Sequence, residues 1–323
     1  MKNKYPLVSV VMLNYNGLKY LKRTIPPILK LDYPNYEFII VDNGSTDGSI
    51  EFISKFKKIK LIKSPKLREK NFACNYAVKK TKGEYILLLD NDVLIKNNMI
   101  LKKLINYFLK LKDIGTIGLS FINEGESYMK GYGGYLGYYF IIDPKYISKE
   151  NAKKINLYEV SFPHGFGFII KKNIWEKLGG YDNFLKFGGD DSDIGIKIWM
   201  MGYKNLIFTE NICIHIGMGE RADNFKYSLK FKEMFFSNLY IIVKDYCIFH
   251  ILSTLFFYSL YAFLKSVKQS IFRLNPRPFF AFFQGYYLFL INLPHAIKKR
   301  KEIQAKRVIK EDIFLKIKPP KFD

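Results

Sequence analysis

The sequence predicts an α/β fold: a mostly parallel sheet flanked by helices, followed by a helical, membrane-associating C-terminal region. Three observations carry this. Apolar, β-branched runs alternate with amphipathic stretches along the first part of the 323 residues, the pattern of βαβ units. The run Tyr85-Ile86-Leu87-Leu88-Leu89 shows no polar alternation and leads straight into Asp90-Asn91-Asp92, as expected of a strand buried on both faces. Beyond about residue 230 the longest uncharged stretches coincide with a surplus of cations.

Residues 7–13 are apolar and β-branched, and make a first parallel strand. Asn14-Tyr15-Asn16-Gly17 breaks it, and residues 18–31 carry apolar side chains at helical spacing. Residues 37–41 form the second strand, which ends in the turn-rich segment from Asp42 to Gly48. Asp47 is placed there to cap a helix over residues 49–56. A short strand at 60–62, a helix at 72–80, the strand at 85–89 and a helix at 98–111 follow. The stretch 115–156 is rich in Gly, Tyr and Phe, and Gly131, Gly133, Gly134 and Gly137 miss the dinucleotide-binding spacing. Residues 161–171 return to strand character. Residues 174–178 lead to Gly179-Gly180-Tyr181-Asp182, and Gly188-Gly189-Asp190-Asp191-Ser192-Asp193 enters an amphipathic helix at 194–201. A last strand, 206–215, closes on His215.

Hydrophobic content of 49% and aromatic content of 17% exclude a largely disordered chain. The net charge of +23 points to nucleic acid, an anionic membrane or phosphorylated substrates. From Lys226 onward there are 18 Lys and Arg against 6 Asp and Glu. That excess lies beside the longest apolar runs, which favours an anionic membrane surface over nucleic acid. No helix-turn-helix or RNA-binding motif is present in the sequence. Cys74, Cys213 and Cys247 are widely spaced, which implies neither a zinc site nor a disulfide framework and fits a reducing compartment. The N-terminal residues lead directly into the first strand without a signal-peptide pattern, so a cytosolic location is expected.

Acidic residues are costly inside a sheet, and open α/β sheets bind ligands at the carboxyl ends of their strands. Asp42, Asp90, Asp92, Asp190, Asp191, Asp193 and His215 all fall at strand ends or helix starts. Asp90 and Asp92 are spaced to share one side of extended chain. Two such carboxylates suit one hard divalent cation shared with phosphate oxygens. Helix capping is the plainer reading of these acids. Asp190 and Asp191 sit at a helix start, whose positive end favours carboxylate, while their mutual repulsion raises the proton affinity of one of them.

In order and spacing these motifs resemble the inverting GT-A glycosyltransferases of family 2, from about residue 8 to residue 219. The likeness is nearest to rhamnosyltransferase-like, non-processive members and to enzymes of polysaccharide assembly. VSVVMLNYNG (8–17) resembles the family's first strand and nucleotide-binding turn, which implies that Asn14, Tyr15 and Asn16 bind the donor. VDNGSTDGS (41–49) resembles its second motif, implying that Asp42 contacts the base of a nucleoside diphosphate sugar. LLLDNDV (87–93) resembles its Asp-x-Asp motif, implying that Asp90 lies near the ribose or metal and that Asp92 binds the metal, Mg²⁺ or Mn²⁺. Asn75 is counted with the donor-binding residues, although Asn71 stands where many members have glycine. The stretch 179–204 resembles the one carrying the catalytic base, usually written Glu-Asp. Here the pair is Asp190-Asp191, with Asp191 at the base position and the first acid shorter than usual. CIHIGMG (213–219) resembles the segment that supplies a histidine near the metal, His215.

The resemblance implies a single displacement at the anomeric carbon of a UDP- or dTDP-sugar, with a lipid-linked or surface-glycan acceptor. His164 either lines the acceptor pocket or serves a packing or turn role. Processive polysaccharide synthases of the family carry Gln-x-x-Arg-Trp, whereas Gln269 to Arg273 has another spacing and no Trp follows. A catalytically silent glycan-assembly scaffold is the remaining reading, and the intact acids argue against it.

Residues 246–264 contain no formal charge, and neither do residues 278–297, where Gly285 and Pro294 interrupt the run. As a helix the first would be ~28 Å long, close to a ~30 Å hydrocarbon core. Yet Lys244, the linker residues Lys265, Lys268, Arg273 and Arg277, and the run Lys298 to Lys301 make every flank basic. The positive-inside tendency keeps all of these on the cytosolic side. Helices lying in the interface are therefore expected, at the cytoplasmic face of the cell membrane. His250 and His295 read as members of these amphipathic stretches. The expected division is a catalytic domain at 1–230 and a membrane-associating region at 231–323.

Overall fold

The computed structural model describes residues 4–125, 133–137, 155–217 and 223–319. Gly131, Met218 and Gly219 of the motifs above lie outside them. The chain runs β1 (Val8–Asn14), α1 (Leu18–Leu29), β2 (Tyr36–Asp42), α2 (Ser49–Ile53), β3 (Ile59–Lys63), α3 (Lys70–Lys79), β4 (Tyr85–Asp90), β5 (Val93–Leu94) and α4 (Ile100–Lys110). It continues through β6 (Ile114–Asn123), β7 (Leu157–Glu159), β8 (Gly167–Lys171), α5 (Lys172–Leu178), α6 (Asp190–Met200) and β9 (Lys204–His215). Three long helices follow, α7 (Asn224–Asp245), α8 (Ile248–Phe272) and α9 (Arg277–Gln304).

The strands form one sheet in the order β3-β2-β1-β4-β8-β6-β9-β5, with β7 paired to β9 off this path. The first four are parallel, as the sequence predicts. Beyond β4 the sheet is mixed, because β8 runs antiparallel to both β4 and β6, while β9 is again parallel to β6. Strand β6 falls in the stretch that showed no strand signal. Its Gly115, Thr116, Gly118 and Ser120 dilute the apolar pattern, yet nearly all of it is buried.

Side chains of β1 alternate between two cores. Val10 and Met12 pack with Leu21 and Ile25 of α1 and Leu104 of α4. Val11 packs on the other face with Ala77 of α3, Trp175 of α5 and Ile198 of α6. Burial on both faces explains the continuous apolar character of β1 and β4.

The uncharged stretches fall mainly in α8, which begins at Ile248, and within α9. Phe235 of α7 stacks on Phe282 of α9 with ring centroids 4.8 Å apart. The last carbonyls of α7, which have no partner within their own helix, are capped from α9. Arg300 Nη1 donates to the carbonyls of Val243 (2.9 Å) and Tyr246 (2.6 Å), and Gln304 Nε2 to those of Lys244 (3.1 Å) and Asp245 (3.0 Å). Arg300 therefore points inward rather than joining a basic membrane face. Lys244 is also withdrawn from that face: it is 1% exposed and pairs with Asp182 at 2.9 Å and with Asp193. His250 pairs with buried Asp312 at 2.7 Å, and His295 stacks on Phe184 at 4.2 Å, so both histidines anchor helices. Among the described helices, α8 alone is long and apolar enough to cross a membrane by length and composition. It leaves Phe249 (90%) and Leu252 (80%) exposed.

Candidate active site

Parallel register aligns the first site residues. Asn14 pairs with Asp42 across β1 and β2, and Leu13 with Asp90 across β1 and β4, so all three polar side chains reach the carboxyl edge of the sheet. Asn14 is fully buried and joins the two loops there. Its Nδ2 donates to Asp42 Oδ1 (2.9 Å) and Ser45 Oγ (3.0 Å), and its Oδ1 accepts from Asn91 Nδ2 (2.7 Å). Asp42 closes an Asx-type turn, accepting from the Gly44 and Ser45 backbone N–H groups at 3.1 and 2.9 Å and from Ser45 Oγ at 2.5 Å. With its oxygens engaged inside the turn and 2% exposure, Asp42 shapes the turn. The Asn16 N–H donates to Ser45 Oγ at 2.9 Å, and Tyr15 stands 40% exposed at the edge. Gly48, not Asp47, is the N-cap of α2, which ends at Ile53; Asp47 stands one residue earlier and accepts from the backbone N–H groups of Ser49 (3.1 Å) and Leu18 (2.8 Å).

Asn75 does not join this group. Its Nδ2 donates to the Tyr181 carbonyl (2.8 Å) and Asn183 Oδ1 (2.9 Å), and its Oδ1 accepts from the Tyr181 N–H (3.0 Å). The amide expected on the donor instead fixes the loop leading to α6.

Asp92 and His215 meet because β5 pairs antiparallel with β9, setting Val93 opposite His215. Asp92 Oδ1 lies 3.2 Å from His215 Nε2. A Cβ on residue 217 would stand 2.0 Å from Asp92 Oδ2, so only glycine lets this carboxylate sit where it does. The His215 ring packs between Phe121 (5.4 Å) and Phe166 (5.8 Å). Asp92 Oδ1 and His215 Nδ1 are buried without a hydrogen-bond partner. Among the described residues no group of three or more His, Cys, Asp or Glu surrounds a metal position. One carboxylate and one imidazole fit a divalent ion that takes its other ligands from substrate phosphates and water.

Helix α6 starts at Asp190, four residues before the predicted start at 194, which places Asp190 and Asp191 in its first turn. Gly189 caps it with φ 82°, a conformation costly for other residues. Asp191 Oδ1 accepts from the Ser192 N–H at 2.8 Å, and its Oδ2 lies 4.0 Å from His164 Nδ1. Burial, and then the Asp190 charge, push the Asp191 carboxyl up to about 7, against the opposing charge of Lys70. His164 is held down to about 4 by burial and by His215, so it is neutral at pH 7. Lys70 Nζ lies 3.2 Å from Asp190 Oδ2. Burial raises the Asp90 carboxyl, with Lys70 opposing and Asp92 and Asp190 adding. A strand-end acid, a paired Asp and His, and a half-buried acid titrating near neutrality therefore lie within electrostatic reach of one another at this edge. Asp193 belongs elsewhere: fully buried, it turns away to Lys197 (2.7 Å) and Lys244.

Lys70 carried no signal in the sequence, being one cation among many at a helix start. The His164 ring packs against Phe121 and Phe166 at 6.1 and 5.9 Å while its Nδ1 faces Asp191.

The fold is the GT-A fold of glycosyltransferases. Residues 9–179 match the family Glycosyl transferase family 2, more than half of the chain, and the protein belongs to that family. Among its relatives is an uncharacterized glycosyltransferase of Haemophilus influenzae, 39% identical over 117 residues, or 35% of this chain and 46% of that protein. Another is the glycosyltransferase GlyG of Streptococcus pneumoniae, 27% identical over 65% of this chain and 70% of that one. The chain thus spans less than half of the Haemophilus relative. A solved structure of GalNAc-T7 with UDP, GalNAc and Mn²⁺ has the same fold, with TM-score 0.60 and 19% identity over 77% of this chain and 49% of that one.

Proposed function

We propose that this protein is an inverting, non-processive glycosyltransferase that moves a sugar from a UDP- or dTDP-sugar to a hydroxyl of a lipid-linked or surface-glycan acceptor. The observation that carries the reading is Asp191: a half-buried carboxylate 4.0 Å from neutral His164, pushed up to about 7, has the proton affinity a general base needs near neutral pH. Asp191 takes the acceptor's proton while that oxygen attacks the anomeric carbon from the face opposite the leaving diphosphate. Tyr15, Asn16 and Asp90 form the donor-binding edge, and buried Asn14, the donor residue expected beside them, acts on the donor through Asp42 and the Ser45 turn that it holds in place. Asp92 and His215 would hold Mg²⁺ or Mn²⁺, which when bound supplies positive charge at the leaving diphosphate.

Residues 231–323 attach the enzyme to the cytoplasmic face of the membrane without spanning it, and residues 1–230 form the catalytic unit, with α7 running between the two. The exposed apolar side chains of α8 support this attachment, as do the exposed cations Lys265, Lys268 and Arg277 near its end.

The test is a screen of purified full-length protein against UDP-, dTDP- and GDP-sugars with lipid-linked acceptors, followed by NMR of the product. Transfer with inversion at the anomeric carbon is expected. Retention of configuration, or donor binding without turnover on every acceptor, would overturn the reading.

A further inference from the structure

Asp190 and Asp191 are adjacent and chemically alike, yet their surroundings differ. Asp190 is 8% exposed, and its Oδ2 faces Lys70 Nζ at 3.2 Å. Asp191 faces His164 instead. Lys70 is the first residue of α3, so its charge comes from across the cleft. The ion pair therefore joins the start of α3 to the start of α6, and the Asp90 charge at the end of β4 adds to the field on Lys70.

We propose that Lys70 is a positioning residue of the transfer reaction: its pairing with Asp190 commits that carboxylate to the ion pair, fixes the start of α6 against α3, and leaves Asp191 as the acid that meets the acceptor. The proposal rests on Asp191 being the base.

The groups facing Asp191 are Asp190 from its own helix, Lys70 from α3, and His164 and the Gly165 N–H from the loop before β8. His164 is neutral at pH 7, so Lys70 is the cation that opposes Asp190. Without Lys70 the Asp190 charge acts on Asp191 unopposed, and deprotonating Asp191 becomes harder.

The experiment compares Lys70→Met, Lys70→Gln and Lys70→Arg in the full-length protein. Carboxyl ¹³C NMR follows the titration of Asp191 in the free enzyme, and the pH profile of kcat/KM follows it in transfer. Lys70→Met and Lys70→Gln should move the Asp191 titration and the acid limb of the profile upward together by about one pH unit, and Lys70→Arg should restore both. The glutamine variant keeps a polar helix start should methionine prevent folding. A lower kcat with an unmoved titration and limb would make Lys70 merely structural and overturn the proposal. Because the NMR titration needs no turnover, a shifted Asp191 signal alongside full transfer by Asp191→Asn would instead overturn the base assignment, and with it the role given to Lys70.

Discussion

Asp92 and His215, far apart in sequence, face each other at 3.2 Å between Asp92 Oδ1 and His215 Nε2, because a two-residue strand after the Asp-x-Asp turn pairs with the end of β9. The contact costs two polar groups their water, and both keep a buried atom without a hydrogen-bond partner. A divalent ion with a diphosphate would satisfy them.

Calorimetric titration of UDP with and without Mn²⁺ tests this pairing. Asp92→Ala should remove the metal-dependent part of the affinity, and His215→Ala should weaken it. Excess EDTA should reproduce the Asp92→Ala result on the wild-type protein. Full-rate transfer in EDTA would show the pair to be structural.

Asp191→Asn keeps the shape of the side chain and removes the base. Transfer should fall ~10²–10⁴-fold, with donor affinity nearly unchanged. In the wild type, kcat/KM should rise with pH through a limb near 7, where Asp191 loses its proton. Residual transfer near the wild-type rate would assign the base elsewhere.

The same carboxyl makes a stability prediction of definite sign. Its folded value, about 7, lies above an unfolded value near 4. The folded state therefore binds the proton more tightly, and the wild type loses stability as pH rises from about 4 to about 7. Asp191→Asn escapes that loss. Urea unfolding should find the variant gaining on the wild type between pH 5 and pH 8, by on the order of 2 kcal/mol once partial solvent screening is allowed for. An equal difference at both pH values would contradict the raised value.

Lys244 is the buried cation shared by Asp182 and Asp193. Although burial pushes both acids up, Lys244 holds Asp182 well below the usual carboxylate range, and Lys197 with Lys244 lowers Asp193. Lys244→Met leaves two buried carboxylates under-compensated and should destabilise the protein by about 3–5 kcal/mol. Adding Asp193→Asn should recover part of that. A loss below about 1 kcal/mol in denaturant unfolding would mean that the cluster is wetter than its burial implies.

Membrane attachment is tested on α8. Replacing Phe249, Leu252 and Phe256, all exposed, by serine should release the protein from anionic vesicles, whereas high salt should release only part of the wild type. Cysteine at exposed Lys268 should resist an impermeant thiol reagent applied outside intact cells. Its labelling from outside would make α8 a true span.

The parallel half of the sheet was legible because strands buried on both faces write continuous apolar runs. The acids at their ends were legible because charge cannot sit within such strands. Strand β6 was not, since its small polar residues and glycines are tolerated only where neighbouring strands cover them. Motif order carried Asp90, Asp92, Asp191 and His215 to one edge of the sheet. It did not reveal that the Asn75 amide binds the Tyr181–Asn183 loop, and it read Lys244 as a membrane-facing cation although it is buried with Asp182 and Asp193.

Taken alone, the sequence determined the fold class, the carboxyl edge as the place of chemistry and the apolar character of the last helices, because periodicity and charge record how each segment meets water. Only the tertiary structure decided which of two adjacent aspartates is paired with a lysine and which faces a neutral histidine. That choice depends on strand register and helix packing, which bring Lys70, His164 and Asp191 together from three separate elements, and no local pattern encodes those distances.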